Sequence, residues 1–146
     1  MRHLRKGRKL NRTSSHRKAL WANLTTSLLD KGRIITTTAK AKEMRGFVER
    51  LITIAKKDNL NARRIAAETV KNRAVLKKLF EKVAPEFKQR NGGYTRVLKM
   101  GNRRGDAAEL SIIELVGYTP VVKPKKDKKA EKEVKPEEVK QEAAAS

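Results

Sequence analysis

Basic side chains dominate the first eighteen residues, MRHLRKGRKLNRTSSHRK, and the first acidic residue of the chain is Asp30. Arginine presents a planar fork of N–H donors that fits phosphate bidentately, and lysine binds phosphate as a point charge. Gly7 and Asn11 weaken any helix, so this segment can follow an irregular surface. The pattern predicts an arm that becomes ordered on nucleic acid. Its predicted contact residues are Arg2, His3, Arg5, Lys6, Arg8, Lys9, Arg12, His16, Arg17 and Lys18.

A second cationic segment, GNRRGD, places Arg103 and Arg104 between two glycines and two predicted strands. It matches neither a Walker loop nor a dinucleotide fingerprint, because no Gly-Lys-Ser/Thr follows and no helix begins there. The segment therefore predicts a hairpin tip that reaches phosphates.

Catalytic chemistry has little support in the sequence. The acidic residues before residue 120 stand singly, whereas a metal-dependent nuclease needs clustered carboxylates. The chain has no cysteine, and its two histidines, His3 and His16, both lie in the cationic arm, where they serve better as hydrogen-bonding or stacking groups than as general bases. We expect no enzyme activity, no metal, no cofactor and no small-molecule substrate.

Two other modes of nucleic-acid recognition are disfavoured. Trp21 lies beside an apolar helical stripe and is predicted to belong to the core, and a single-strand reader needs several exposed aromatic side chains. A helix-turn-helix could use the basic residues between Arg63 and Lys78, but NRAVLKK offers few polar side chains that could read bases. A solvated basic face is the preferred interpretation.

The charge of the chain points to a polyanionic partner. The net charge is +21 over 146 residues, and such self-repulsion is relieved by a polyanion. Up to Pro120 there are 29 basic and 10 acidic residues, against 8 and 6 beyond it. We expect no membrane segment and no secretion signal, and an organellar transit peptide is disfavoured because the arm continues directly into a helix.

Apolar periodicity predicts an order α-β-α-α-α-β-β. Ser14 or Ser15 can cap a first helix that ends at Gly32, RIITTT reads as a strand, and residues 39–57 form the clearest amphipathic helix, with Phe47 on its apolar stripe. Two shorter helices follow, the second capped by Asn72 and stopped by Pro85, and then two strands. This order predicts a single α+β domain in two layers, with helices on one side of a small mixed sheet.

The predicted domain limits are a basic RNA-binding arm over residues 1–13, a globular domain over 14–120 and a disordered Lys/Glu/Ala-rich tail over 121–146. The tail lacks aromatic residues and a sustained apolar stripe, so it cannot bury enough area to offset the loss of conformational entropy.

Several blocks together resemble a known family. MRH, GRKLNRTSSHRKALWANL, GRIITTTAKAKEMRGFVERLITIAKK, GGYTRVLKMGNRRGDAAELSIIEL and VGY are similar, in this order, to protein seventeen of the bacterial large ribosomal subunit. The resemblance implies the same α-β-α(3)-β(2) domain, large-subunit rRNA and neighbouring large-subunit proteins as partners, and a place in the cytoplasmic ribosome. It adds to the arm and hairpin residues the predicted RNA contacts Lys40, Lys42, Arg45, Tyr94 and Arg96.

The chain departs from the family pattern at Leu4, where members commonly carry a basic residue, and in the tail. Two alternatives stay open at this point, a basic architectural or regulatory DNA-binding protein and a nuclease. No homo-oligomer is expected.

Overall fold

Helices and strands follow one another along the chain in the predicted order. The computed structural model describes residues 7–117, so the predictions for residues 1–6 and for the tail lie outside the described residues, and the domain limits stay predictions. The elements are α1 (Ser14–Lys31), β1 (Arg33–Thr37), α2 (Thr38–Ala55), α3 (Leu60–Thr69), α4 (Arg73–Lys78), a π-helical turn (Leu79–Val83), α5 (Ala84–Glu86), β2 (Thr95–Asn102) and β3 (Glu109–Leu115).

Local signals set most helix ends. Gly32 closes α1 with φ 72°, and its N–H donates to the Leu28 carbonyl. The N-cap of α1 is Thr13, whose hydroxyl accepts from the His16 N–H at 3.4 Å. The prediction of Ser14 or Ser15 is therefore wrong by one or two residues. The Asn72 cap is confirmed, since its side-chain oxygen accepts from the Ala74 N–H at 2.9 Å.

The fourth helical stretch, which begins at Arg73, continues through Pro85 instead of stopping before it. The N–H of Ala84 donates to the carbonyl of Leu79, which is the i to i+5 bond of a π-turn. A π-turn widens the helix just ahead of the proline, and Pro85 then occupies the first turn of α5, where its missing N–H costs nothing. The helical stretch ends at Glu86.

The sheet has the order β1-β3-β2 and is antiparallel at both pairings. The α+β class with helices on one side is confirmed, but the expected mixed sheet is not. After the β2–β3 hairpin, strand β3 lies between β1 and β2 and is antiparallel to both of them. β1 and β2 thus share a direction without being neighbours.

The core lies between the sheet and the helices. Ile34, Ile113 and Val97 stand opposite one another across the strands and face the helices. They pack with helix residues that are almost fully buried, among them Leu28, Leu29, Met44, Val48, Ile52 and Leu79.

One predicted core residue is on the surface. Phe47 was expected on the buried stripe of α2, yet 49% of its side chain is exposed. It lies at the border of the stripe, where it stacks on Trp21 instead of entering the core. Trp21 itself is 6% exposed, which confirms its predicted core position.

Candidate nucleic-acid interface

The inner part of the arm folds back onto the domain. Lys9 to Arg12 form a tight turn, closed by the Arg12 N–H on the Lys9 carbonyl at 3.1 Å, with φ 52° at Leu10 and 50° at Asn11. A leucine in this conformation is strained. Leu10 is held there because its side chain packs against the core. The guanidinium of Arg17 donates to the Arg12 carbonyl at 2.7 Å and fixes the turn to α1.

The arm then passes the second turn of α2. Arg8 Nε lies 3.7 Å from the carboxylate of Glu43, and Gly7, with φ 95°, lies against the same side chain. The described part of the arm is therefore attached to both α1 and α2.

Strand register brings the start of α2 and the hairpin tip to the same end of the molecule. Thr37, the last residue of β1, pairs with Leu110, and the Thr38 hydroxyl lies 2.7 Å from the Ser111 hydroxyl. The first turns of α2, which carry Lys40 and Lys42, thus lie beside the start of β3 at Leu110 and Ser111. Beyond Leu110 the two strands continue through the pair Asn102 and Glu109 before the tip.

Four of the predicted arginines form ion pairs with carboxylates. Besides Arg8 with Glu43, Arg45 Nε lies 3.3 Å from Glu49 one helical turn away. The remaining two, Arg96 and Arg103, make the closest pairs. A guanidinium that is already bound to a carboxylate is less available to a phosphate.

Arg96 belongs to a charged row across the sheet. The carboxylate of Glu114 on β3 accepts from Arg96 Nε at 2.9 Å and Nη2 at 2.6 Å, and its other oxygen lies 3.1 Å from Arg33 Nε. The three residues are register partners on β2, β3 and β1. Glu114 is 5% exposed, so its buried carboxylate links β1 and β2 to β3 through ion pairs with Arg33 and Arg96.

Arg103 holds the hairpin tip closed. It donates to both oxygens of Asp106, from Nε at 2.8 Å and from Nη2 at 2.6 Å, and Asp106 also accepts from the Ala108 N–H. These bonds hold the pKa of Asp106 well below its ordinary value and raise that of Arg103. Arg104, by contrast, is exposed and forms no ion pair within the described part of the chain.

Tyr94 does not belong to a surface site, which corrects its prediction as an RNA contact. It is 2% exposed, and its ring packs against Phe87 with centroids 5.2 Å apart. Lys56 Nζ donates to its hydroxyl at 3.3 Å. A hydrogen bond with Thr53 lowers the pKa of Tyr94, burial opposes this shift, and Lys56 adds to it.

The remaining predicted contacts, six cations and His16, have side chains without an ion pair or hydrogen bond to other residues between 7 and 117. The Nε atom of Arg12 is buried and has no hydrogen-bond acceptor among residues 7–117. All of these side chains are exposed or partly exposed, and they lie in the arm, in the first turns of α1 and α2 and at the hairpin tip. They are Lys9, Arg12, His16, Lys18, Lys40, Lys42 and Arg104.

The sequence did not reveal that Glu114, which also pairs with Arg33, holds the side chain of Arg96. The signal was present in the alternation of ELSIIEL, which puts Glu114 on the same face of β3 as Ile112. It could not be used without the strand order, because the partners are more than fifteen residues away along the chain.

Other chemistry has no support in the described region. No group of three or more His, Asp or Glu side chains comes together there to hold a metal ion. Nor does any helix between residues 7 and 117 have the length and apolar character needed to cross a membrane.

Comparison with known proteins agrees with the resemblance of the sequence blocks. The model of the family "Ribosomal protein L17" matches residues 20–116. Large ribosomal subunit protein bL17 of Thermus thermophilus is 55% identical over 117 residues, covering 80% of this chain and 99% of that protein. The bL17 protein of Trichlorobacter lovleyi is 53% identical over 116 residues, covering 80% and 94%. With matches of this identity and extent, the chain belongs to the ribosomal protein L17 family.

Proposed function

We propose that this protein is a structural constituent of the bacterial large ribosomal subunit, where it binds and stabilises folded 23S-type rRNA and so supports translation. Its family is one of ribosomal proteins and not of enzymes. The observation that carries the RNA-binding role is the gathering of carboxylate-free cations around one end of the domain. The protein then works in the cytoplasm, in contact with neighbouring large-subunit proteins.

The cations divide into two roles. Lys9, Arg12, Lys18, Lys40, Lys42 and Arg104 contact phosphates directly, because no carboxylate within residues 7–117 competes for them. Arg8, Arg96 and Arg103 hold the arm and the hairpin in position through their carboxylate partners, and Arg45 is paired with Glu49 along α2 itself. His16 adds a hydrogen bond or a stacking contact, and Arg17 fixes the arm.

The outer arm extends this surface. Arg2, His3, Arg5 and Lys6 precede the point at which the chain passes Glu43, so they can continue along the same RNA. We expect them to supply part of the affinity and little of the stability of the domain.

Salt dependence tests the electrostatic role. Each neutralised phosphate contributes about 0.7 to 0.9 to the slope of log K against log salt, so the six direct contacts alone predict a slope of about −4 to −5, and the outer arm should make it steeper. Filter binding of the full chain to a large-subunit rRNA transcript over a range of potassium chloride concentrations measures it. A slope near zero contradicts the proposal.

Competition separates this function from a DNA-binding architectural protein. A structured rRNA fragment should displace the labelled transcript at a much lower concentration than duplex DNA with the same number of phosphates. Equal competition by the two nucleic acids favours the architectural role instead.

A further inference from the structure

A groove of about 580 Å³ lies between α1, α2 and α3, away from the hairpin. Its apolar wall includes Trp21, Phe47, Leu51, Ile54 and Ile65. Phe47 and Ile65 are exposed, whereas Trp21 and Leu51 in the same groove are buried. A groove of this size with an aromatic wall is suited to a planar apolar group.

The aromatic residues of the groove form a stack with one accessible member. The rings of Trp21 and Phe47 have centroids 5.2 Å apart and planes inclined by 21°. Trp21 is 6% exposed beneath, whereas Phe47 is 49% exposed. Unstacked RNA bases are bound in this way, by stacking on an exposed aromatic side chain.

The charged residues of the groove favour a polyanion. Lys18, Arg50 and Lys71 line it, against a single acid, Glu68. None of the three cations forms an ion pair with another residue in the range 7–117. Lys18 also belongs to the proposed RNA contacts at the start of α1, so the groove continues that surface.

We propose that the groove binds one unpaired nucleobase of the rRNA, stacked on Phe47, while Lys18, Arg50 and Lys71 contact the phosphates on either side of it. This proposal rests on the proposed function. An apolar peptide from a neighbouring protein would fit the aromatic wall but would leave three cations against one acid. The stack adds a single base contact to binding that is otherwise made through the phosphate backbone.

Substitutions at Phe47 test the proposal in the full chain, with the large-subunit rRNA transcript as the probe. Phe47→Ala and Phe47→Leu should both weaken binding by about 5- to 150-fold, since each removes the π-face. Phe47→Trp should retain the affinity. Because no phosphate contact is lost, the salt slope should stay the same in all three variants. Leu60→Ala, at an exposed apolar position of α3 outside the groove, is the matched control and should bind normally.

Circular dichroism of each variant checks that it folds. If Phe47→Ala is unfolded, Phe47→Leu provides the test, because leucine keeps most of the apolar packing on Trp21. Wild-type affinity of the leucine variant overturns the proposal, and so does an affinity loss shared by Leu60→Ala. If Phe47→Leu binds the transcript normally but fails to enter subunits assembled with proteins, the groove is a protein contact and the base site is wrong. Failure of the wild-type chain to bind the transcript would instead contradict the proposed function itself.

Discussion

At the scale of single residues, carboxylates determine which of the described cations are already held in ion pairs. Glu114 illustrates this, because it is buried and neutralised by Arg96 and Arg33 from the two outer strands. Removing one member of a buried ion pair leaves uncompensated charge. We expect Glu114→Gln to lower the free energy of unfolding by about 1–3 kcal/mol, measured by urea denaturation, a range below that for fully buried pairs because both arginines reach solvent.

The exposed pair of Lys99 and Glu109 on the same hairpin provides the control. Glu109→Gln should change the free energy of unfolding by less than about 1 kcal/mol, as is usual for surface pairs. Equal effects of the two substitutions would show that the charged row adds nothing beyond surface electrostatics.

The Arg103 and Asp106 pair predicts an acid-resistant hairpin tip. The pKa of Asp106 is lowered in the folded protein, so the pair's stabilisation is complete above the ordinary pKa of about 3.9 and is lost only as the pH falls through the lower folded value. An NMR titration of the Asp106 carboxyl carbon should show a midpoint clearly below 4 in the wild type and a rise toward it in Arg103→Gln. A wild-type midpoint near 4 would mean that the pair is not formed in solution.

At the scale of elements, the two ends of α2 provide a matched comparison. Lys40 and Lys42 lie in its first turns beside the arm and hairpin, and Lys57 follows its last turn at the opposite end of the helix. Lys40→Gln with Lys42→Gln should make the salt slope of rRNA binding shallower by about 1.4 to 1.8. Lys57→Gln should leave the slope unchanged. The opposite ranking would place the interface at the other end of α2.

The arm has two parts with different roles. Deleting residues 2–6 should weaken rRNA binding while leaving the thermal midpoint of the domain unchanged. Extending the deletion through Arg12 removes the core contact of Leu10 and the Arg17 bond, so the midpoint should fall by several degrees. Identical melting curves for the two deletions would show that the turn at Leu10 does not stabilise the domain.

Elements whose signals are local could be predicted from the sequence, and those that depend on distant partners could not. Gly32 and Asn72 end or begin their helices through bonds within five residues. The central position of β3, the burial of Tyr94 and the pairing of Arg96 depend on contacts across the fold. The sequence predicted the arm and the hairpin tip as cationic segments, but for residues 7–117 it could not separate unpaired cations from those paired with carboxylates.

At the scale of the whole molecule, a small α+β domain holds two cationic projections at a fixed offset, the arm beside α2 and the hairpin tip beyond β1. The helices cover one face of the sheet and fix α2 against β3, where the Thr38 and Ser111 hydroxyls meet at 2.7 Å. The fold thus presents part of the net charge of +21 on two projections in a fixed arrangement, instead of spreading it evenly over the surface.

Sedimentation of the full chain with bacterial large ribosomal subunits tests the central claim most directly. In a sucrose gradient at moderate salt the protein should migrate with the large subunit, and at high salt it should be released to the top fractions as its phosphate contacts weaken. Migration apart from the large subunit at moderate salt would contradict the account.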